Sequence, residues 1–229
     1  MIGRMIKSVF GDSGLRAKDA AAALPSFLNL YDQQYAPRLA VRAEGFRVMF
    51  RELEAVLSQK RARGLPARAT IVETGSLRKQ DPYSGDGGST LLFDAFVNYH
   101  DGVVISVDVS PNAVTLVRKL CSSKVHAVCS DSVAFLRDLS TLLAPASVDL
   151  FYLDSFDFVP ADPFPSSFHH VKELLAVGAL LYPGTIVAVD DNMIAGDGKK
   201  FGKGALVGEY FENIDADEIY SGYQRVWRL

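Results

Sequence analysis

Apolar positions fall into two textures along this chain. Before residue 67 they recur at three- and four-residue spacing. Phe46, Met49, Phe50, Leu53, Val56 and Leu57 lie on one stripe of a helix, and Gly64 with Pro66 brings that helix to its end. Upstream, residues 20–35 read as a shorter helix broken around Pro25. Residues 1–67 are therefore expected to form a helical cap on a larger domain, 68–229.

From Ala69 onward, short apolar runs alternate with amphipathic ones. The runs are 70–73, 103–109, 125–130, 148–154 and 185–190, and the helical segments between them are 89–99, 111–120, 132–143 and 166–177. Near-continuous Val, Ile and Leu predicts strands covered on both faces. Their alternation with helices predicts right-handed crossovers and a Rossmann-like, doubly wound, mostly parallel α/β sheet. A last β-like stretch, 218–229, follows a helix around 205–214 with no further crossover helix. It predicts a C-terminal antiparallel strand.

Composition narrows the classes. The chain is 48% hydrophobic and 22% charged, an ordinary globular balance. Its 24 Lys and Arg against 27 Asp and Glu give a net charge of −3, which argues against general nucleic-acid binding. Cys121 and Cys129 do not make a disulfide framework. The most apolar stretch, 174–189, is interrupted by Gly178, Tyr182, Pro183 and Gly184, so no membrane span is expected. No signal-peptide stretch is read at the N-terminus, and a cytoplasmic setting is the expectation. The pattern leaves a homo-oligomer open.

Ligands of open α/β sheets bind beyond the carboxyl ends of the strands. Those ends carry Glu73-Thr74-Gly75-Ser76, Asp108, Ser130-Asp131-Ser132, Asp154-Ser155 and Asp190-Asp191-Asn192. All five hold an acid. The first loop is glycine-rich, with Gly85, Gly87 and Gly88 before Ser89-Thr90, and a helix N-terminus there offers free N–H groups to an anion. Thr90 stands where a dinucleotide fingerprint needs its third glycine, and the 196–204 segment fails as a phosphate-binding loop at Asp197 and Gly204. Asp108 lies nineteen positions beyond Ser89, close to the offset at which an acid takes ribose hydroxyls.

Taken together, these strand ends resemble the class I S-adenosylmethionine-dependent methyltransferases over residues 69–229. They are most similar to the metal-dependent small-molecule O-methyltransferases of the catechol, caffeoyl-CoA and macrolide-sugar types. The resemblance implies that Glu73, Gly75 and Ser76 line the methionine part of S-adenosylmethionine. Gly88 and Ser89 would bring helix N–H groups towards it. Asp108 would hold the ribose, and Asp131 with Ser132 would flank the adenine. It further implies Mg²⁺ or Mn²⁺ on Asp154 with either Asp191 and Asn192, as in the catechol and caffeoyl types, or Asp190 and Asp191, as in the macrolide-sugar type, oxygen ligands that suit such an ion. The acceptor would be a small molecule carrying a hydroxyl, with Asp154 in the catalytic centre.

Two departures stand out. An insertion, 77–86, lengthens the glycine loop, and Asp157 stands where catechol-type enzymes place a lysine base. His169 and His170 are the candidates for a replacement base, and at most one of two adjacent helical residues can face the site. Arg78, Lys79, Lys199, Lys200 and Lys203 read as solvated loop charges, and Trp227 and Tyr223 as packing residues. An NAD-dependent oxidoreductase and a non-catalytic cofactor-binding module are the competing readings.

Overall fold

The computed structural model describes residues 26–80, 88–196, 198 and 200–229. Nine strands occur among them: β1 (Ala69–Thr74), β2 (Gly102–Asp108), β3 (Val125–Cys129), β4 (Leu150–Leu153), β5 (Ile186–Val189), β6 (Asn192–Ile194), β7 (Lys200–Gly202), β8 (Asp217–Ser221) and β9 (Arg225–Arg228). Seven of them form one sheet in the order β3-β2-β1-β4-β5-β9-β8. β1 to β5 run parallel, β9 is antiparallel to β5, and β8 is antiparallel to β9. This is the expected Rossmann-like sheet. Every residue of β1, β2, β4 and β5 is buried, as the continuous apolar runs require.

Helices cover both faces. The helices are α1 (Leu28–Gln34), α2 (Ala43–Ala62), α3 (Ser89–His100), α4 (Pro111–Leu120), α5 (Ser132–Leu142), α6 (Phe164–Val177) and α7 (Ala205–Asn213). On one face, Phe46 and Phe50 of α2 share an apolar cluster with Phe93 of α3, Ile71, Val104 and Tyr152. On the other, Phe135, Leu174 and Phe211 of α5, α6 and α7 pack with Val72, Ile105, Phe151 and Trp227. The amphipathic helix before residue 67 is thus one covering layer of the sheet. A buried carboxylate fastens it there: Asp149 accepts from Lys60 Nζ at 2.6 Å, the Thr70 N–H at 2.7 Å and the Tyr182 hydroxyl at 2.6 Å.

The structure departs from the sequence pattern at two places. The C-terminal β-like stretch is a hairpin, β8 and β9, because residues 222–224 turn the chain back on itself. The glycine-rich segment after β5 carries a second hairpin, β6–β7, where a loop was expected. Of the helix expected at 20–35, the structure shows Leu28 to Gln34, and residues 20–25 lie outside the described residues.

Candidate functional site

After β1 the chain builds β2 and β3 to one side, while β4 and β5 lie on the other, so the order switches between β1 and β4. A cavity of about 470 Å³ opens at the carboxyl ends there, lined among others by Gly75, Asp108, Asp131, Ser132, Ser155 and His169. Gly75 takes a positive φ of 84° and lies so close to β4 that a Cβ would come within 2.6 Å of the Asp154 carbonyl. Only glycine fits that crossing. Asp108, almost fully buried, accepts the Ser76 N–H at 2.9 Å and the Ser110 N–H at 2.7 Å. Asp131 caps α5 through the Ala134 N–H at 2.9 Å, and the next residue, Ser132, meets His169 Nε2 at 3.0 Å.

Glu73, at the end of β1, is fully buried. Its two oxygens accept from the Ser89, Thr90 and Ser106 hydroxyls, the last two at 2.7 Å. Burial pushes its carboxyl up to about 7 against the pull of those donors. Glu73 and Ser89 thus hold β1, β2 and the start of α3 together beneath the cavity. Gly88 is the residue just before α3, and residues 81–87 of the glycine loop lie outside the described residues.

The ends of β4 and β5 are built differently. Lys203, only 3% exposed, places Nζ 2.7 Å from Asp154 Oδ1 and 2.8 Å from Asp191 Oδ2. Arg42, from the turn before α2, pairs through Nε with Asp190 Oδ2 at 3.0 Å and through Nη2 with Asp191 Oδ1 at 3.4 Å. The Tyr223 hydroxyl donates to Asp191 Oδ1, and Arg42 lies over its ring at 4.7 Å. Burial works against the Lys203 charge, yet Asp154 and Asp191 outweigh it and raise its pKa above the ordinary lysine range. Burial raises Asp190, with Arg42 opposing. Asp191 also feels burial, but Lys203 holds it below the usual carboxylate range.

Asn192 is spent on the backbone. Its Nδ2 donates to the Val189 carbonyl at 2.8 Å and the Asp190 carbonyl at 3.1 Å, while Oδ1 accepts the Gly204 N–H at 2.9 Å. Asp190 Oδ1 is buried without a partner, the one oxygen of this set so placed. Among the described residues, no three His, Cys, Asp or Glu side chains converge as metal ligands. The expected set of Asp154, Asp190, Asp191 and Asn192 does not fit a divalent cation in this arrangement. A cation bound there would stand against Lys203 and Arg42, whose charges already answer the carboxylates.

The two histidines separate as helix geometry requires. His169 lines the cavity, stacks near Phe156 at 5.1 Å and lies 3.3 Å from the buried Glu173 carboxylate. Glu173 also accepts from the Thr74 hydroxyl at 3.1 Å and the Ser155 hydroxyl at 2.6 Å. His170 is fully buried, donates Nδ1–H to the Ser166 carbonyl at 2.7 Å, and is pushed by burial down to about 4. It stays neutral and faces away from the cavity lining.

Sequence reasoning missed Arg42 and misread Lys203 and Tyr223. Lys203 is a buried ion-pair residue rather than a solvated loop charge, and Tyr223 is a hydrogen-bonding member of the same cluster. Lys203 carried one usable signal, its position between Gly202 and Gly204. A Cβ on Gly202 would meet the Asp191 carbonyl at 2.3 Å, and one on Gly204 would meet Asn192 Oδ1 at 2.6 Å. Asp157, in the place of the catechol-type lysine, pairs at the surface with Arg78 at 2.8 Å.

No family model matches this chain, and no curated protein does so by sequence. Solved structures do match by fold. The MycE methyltransferase from the mycinamycin biosynthetic pathway, in complex with Mg and SAH, superposes with a TM-score of 0.56 at 14% identity, over 89% of this chain and 54% of that one. The same enzyme with Mg, SAH and mycinamycin VI gives a TM-score of 0.54 at 13% identity and the same coverage. The chain therefore has the Rossmann-like fold of methyltransferases, and it spans about half the length of the solved chains it matches. Among the described residues no helix is long and apolar enough to cross a membrane.

Proposed function

We propose that this chain moves the methyl group of S-adenosylmethionine to a hydroxyl of a small-molecule acceptor. The observation that carries the reading is the cavity at the strand-order switch, rimmed in chain order by Gly75, Asp108 and Asp131-Ser132. Its volume, about 470 Å³, is in the range of small-molecule sites. Gly75, on the cavity wall, is the residue beside which the methionine moiety would lie. Asp108, held by two backbone N–H groups, keeps lone pairs free for the ribose hydroxyls. Asp131, Ser132 and His169 border the adenine end.

Transfer is an in-line displacement. The acceptor oxygen forms the C–O bond as the C–S bond breaks, and the sulfonium leaves as a neutral thioether. The protein's main task is alignment. Asp154, at the β4 end beside the cavity-lining Ser155, takes the acceptor proton in this reading. No step runs through a metal, because the carboxylates that would hold one are paired with Lys203 and Arg42. The presence of SAH and mycinamycin VI in a solved structure of the same fold supports a small-molecule acceptor.

Calorimetry tests the cofactor half. S-adenosylhomocysteine is expected to bind with a dissociation constant on the order of micromolar, and NAD is expected not to bind. NAD binding without S-adenosylhomocysteine binding overturns the reading in favour of an oxidoreductase. Binding of S-adenosylhomocysteine with no transfer of labelled methyl to any hydroxylated acceptor in a panel would leave a cofactor-binding module.

A further inference from the structure

The β4 and β5 ends gather three aspartates, and the chain answers them with its own cations. Lys203 Nζ sits between Asp154 Oδ1 and Asp191 Oδ2 at 2.7 and 2.8 Å. A point bridging two carboxylates is where a divalent ion would bind them both. Here a side-chain ammonium fills it.

The placement is built rather than incidental. The Lys203 N–H donates to the Asp191 carbonyl at 3.2 Å, and the next N–H, of Gly204, is held by Asn192 Oδ1 at 2.9 Å. Gly202 adopts a φ of 122° and packs against the Asp191 carbonyl, where any side chain would collide. The Asp190-Asp191-Asn192 segment and the β6–β7 hairpin thus form a cradle that delivers one lysine into the carboxylates. Arg42 closes the other side through Asp190.

We propose that Lys203 is a resident cation standing in for a divalent metal, a positioning residue that holds Asp154 and Asp191 in place and bars Mg²⁺ or Mn²⁺ from them. Two charge-assisted contacts to a fixed ammonium orient the carboxylates as an ion would, with one positive charge instead of two. The acceptor end of the site then works without added metal. The exclusion of metal concerns Lys203 and its carboxylates and stands apart from the methyl-transfer reading.

Titration with Mn²⁺ followed by electron paramagnetic resonance tests it on the 229-residue chain, with no turnover needed. The wild-type protein is expected to show no saturable Mn²⁺ site at millimolar concentration. Lys203→Ala is expected to gain one, binding at least roughly 100-fold more tightly than wild type once the ammonium's repulsion is gone. The double variant Lys203→Ala, Asp191→Asn is expected to lose it again, which assigns the gained site to these carboxylates. Circular dichroism checks that each variant is folded. Should Lys203→Ala not fold, Lys203→Met keeps the stem, removes the charge and carries the same titration. Micromolar Mn²⁺ binding by the wild type overturns the proposal by itself, as does a folded Lys203→Ala or Lys203→Met protein with no gain. S-adenosylhomocysteine calorimetry on the same samples separates this result from the methyltransferase reading. A cofactor site that binds and a wild type that takes Mn²⁺ would refute only the lysine's role.

Discussion

The two halves of the carboxyl edge solve the same problem in opposite ways. At β1 to β3 the acids, Glu73 and Asp108 buried and Asp131 exposed, are answered by neutral donors. Glu73 takes three hydroxyls, and Asp108 and Asp131 take backbone N–H groups. At β4 and β5 the acids are answered by an ammonium, a guanidinium and a phenol. Neutral donors fix a carboxylate without cancelling its charge, so the first half keeps hydrogen-bonding capacity and an open cavity. The second half is closed by ion pairs. One half therefore keeps an open cavity, and the other owes its geometry to charge pairing within the chain. Under the proposed function, substitutions in the first half should move cofactor affinity and those in the second should move stability, with Asp154, the proton acceptor, also moving turnover.

Arg42→Ala gives the largest expected effect. It strips the cation from Asp190 Oδ2, in a side chain that is 2% exposed and whose Oδ1 already has no partner. Breaking a buried pair from one side costs about 3–5 kcal/mol. The expected outcome is a large fall in the urea midpoint, and a midpoint within error of wild type would erase the contrast between the halves.

Proton linkage reads the same contrast through Glu73. Burial raises its carboxyl from 4.5 to about 7. The folded chain therefore keeps a proton that the unfolded chain releases, and this contribution is whole below pH 4.5 and lost as pH rises through 7. His170 runs the other way. Burial lowers it from 6.5 to about 4, so its contribution is whole above pH 6.5 and lost as pH falls through 4. The two slopes oppose one another between pH 4.5 and 6.5. Glu73→Gln removes one of them. Its stability relative to wild type is expected to improve by roughly 1–3 kcal/mol between pH 4.5 and 7, read from denaturant midpoints. A constant difference across that window would show that Glu73 is ionised throughout.

Asp108→Ala tests the open half directly. Loss of charge-assisted bonds to ribose is expected to weaken S-adenosylhomocysteine roughly ten- to hundredfold. Calorimetry reads this, and an unchanged affinity would remove Asp108 from the site.

The same division explains what could be read from the sequence. The open half was legible because each of its acids ends an apolar run or caps the next helix, so a local pattern places it. Asp108 and Asp131 are cases of this. The sheet was legible for the same reason, since burial on both faces writes itself as continuous Val and Ile. The closed half was not, because its partners are remote along the chain. Lys203 meets Asp154 across 49 positions and Arg42 meets Asp190 across 148. A charge in a glycine-rich segment looks solvated until the fold brings carboxylates to it. The aspartates of β4 and β5 were visible while their counter-ions were not, and unpaired acids suggested a metal. The choice between His169 and His170 stayed open for a related reason: adjacency in sequence cannot say which of two helical neighbours is turned inward.

The smallest expected effect belongs to Ser132→Ala, which asks how much of the open half depends on a single neutral contact. The Ser132 hydroxyl meets His169 Nε2 at 3.0 Å on the cavity wall. His169 has two other supports, the Glu173 carboxylate at 3.3 Å and the Phe156 ring at 5.1 Å, so the imidazole should keep its place when the hydroxyl is gone. Only one net hydrogen bond is then lost, about 0.5–1.5 kcal/mol, which corresponds to at most roughly tenfold in affinity for S-adenosylhomocysteine. The urea midpoint should barely move, since the serine is at the first turn of α5 and the cap itself is Asp131. A loss beyond a hundredfold would mean that Ser132 touches the adenine end itself rather than bracing His169. A large fall in stability instead would place the open half in the same class as the ion-paired one, and the contrast between them would fail.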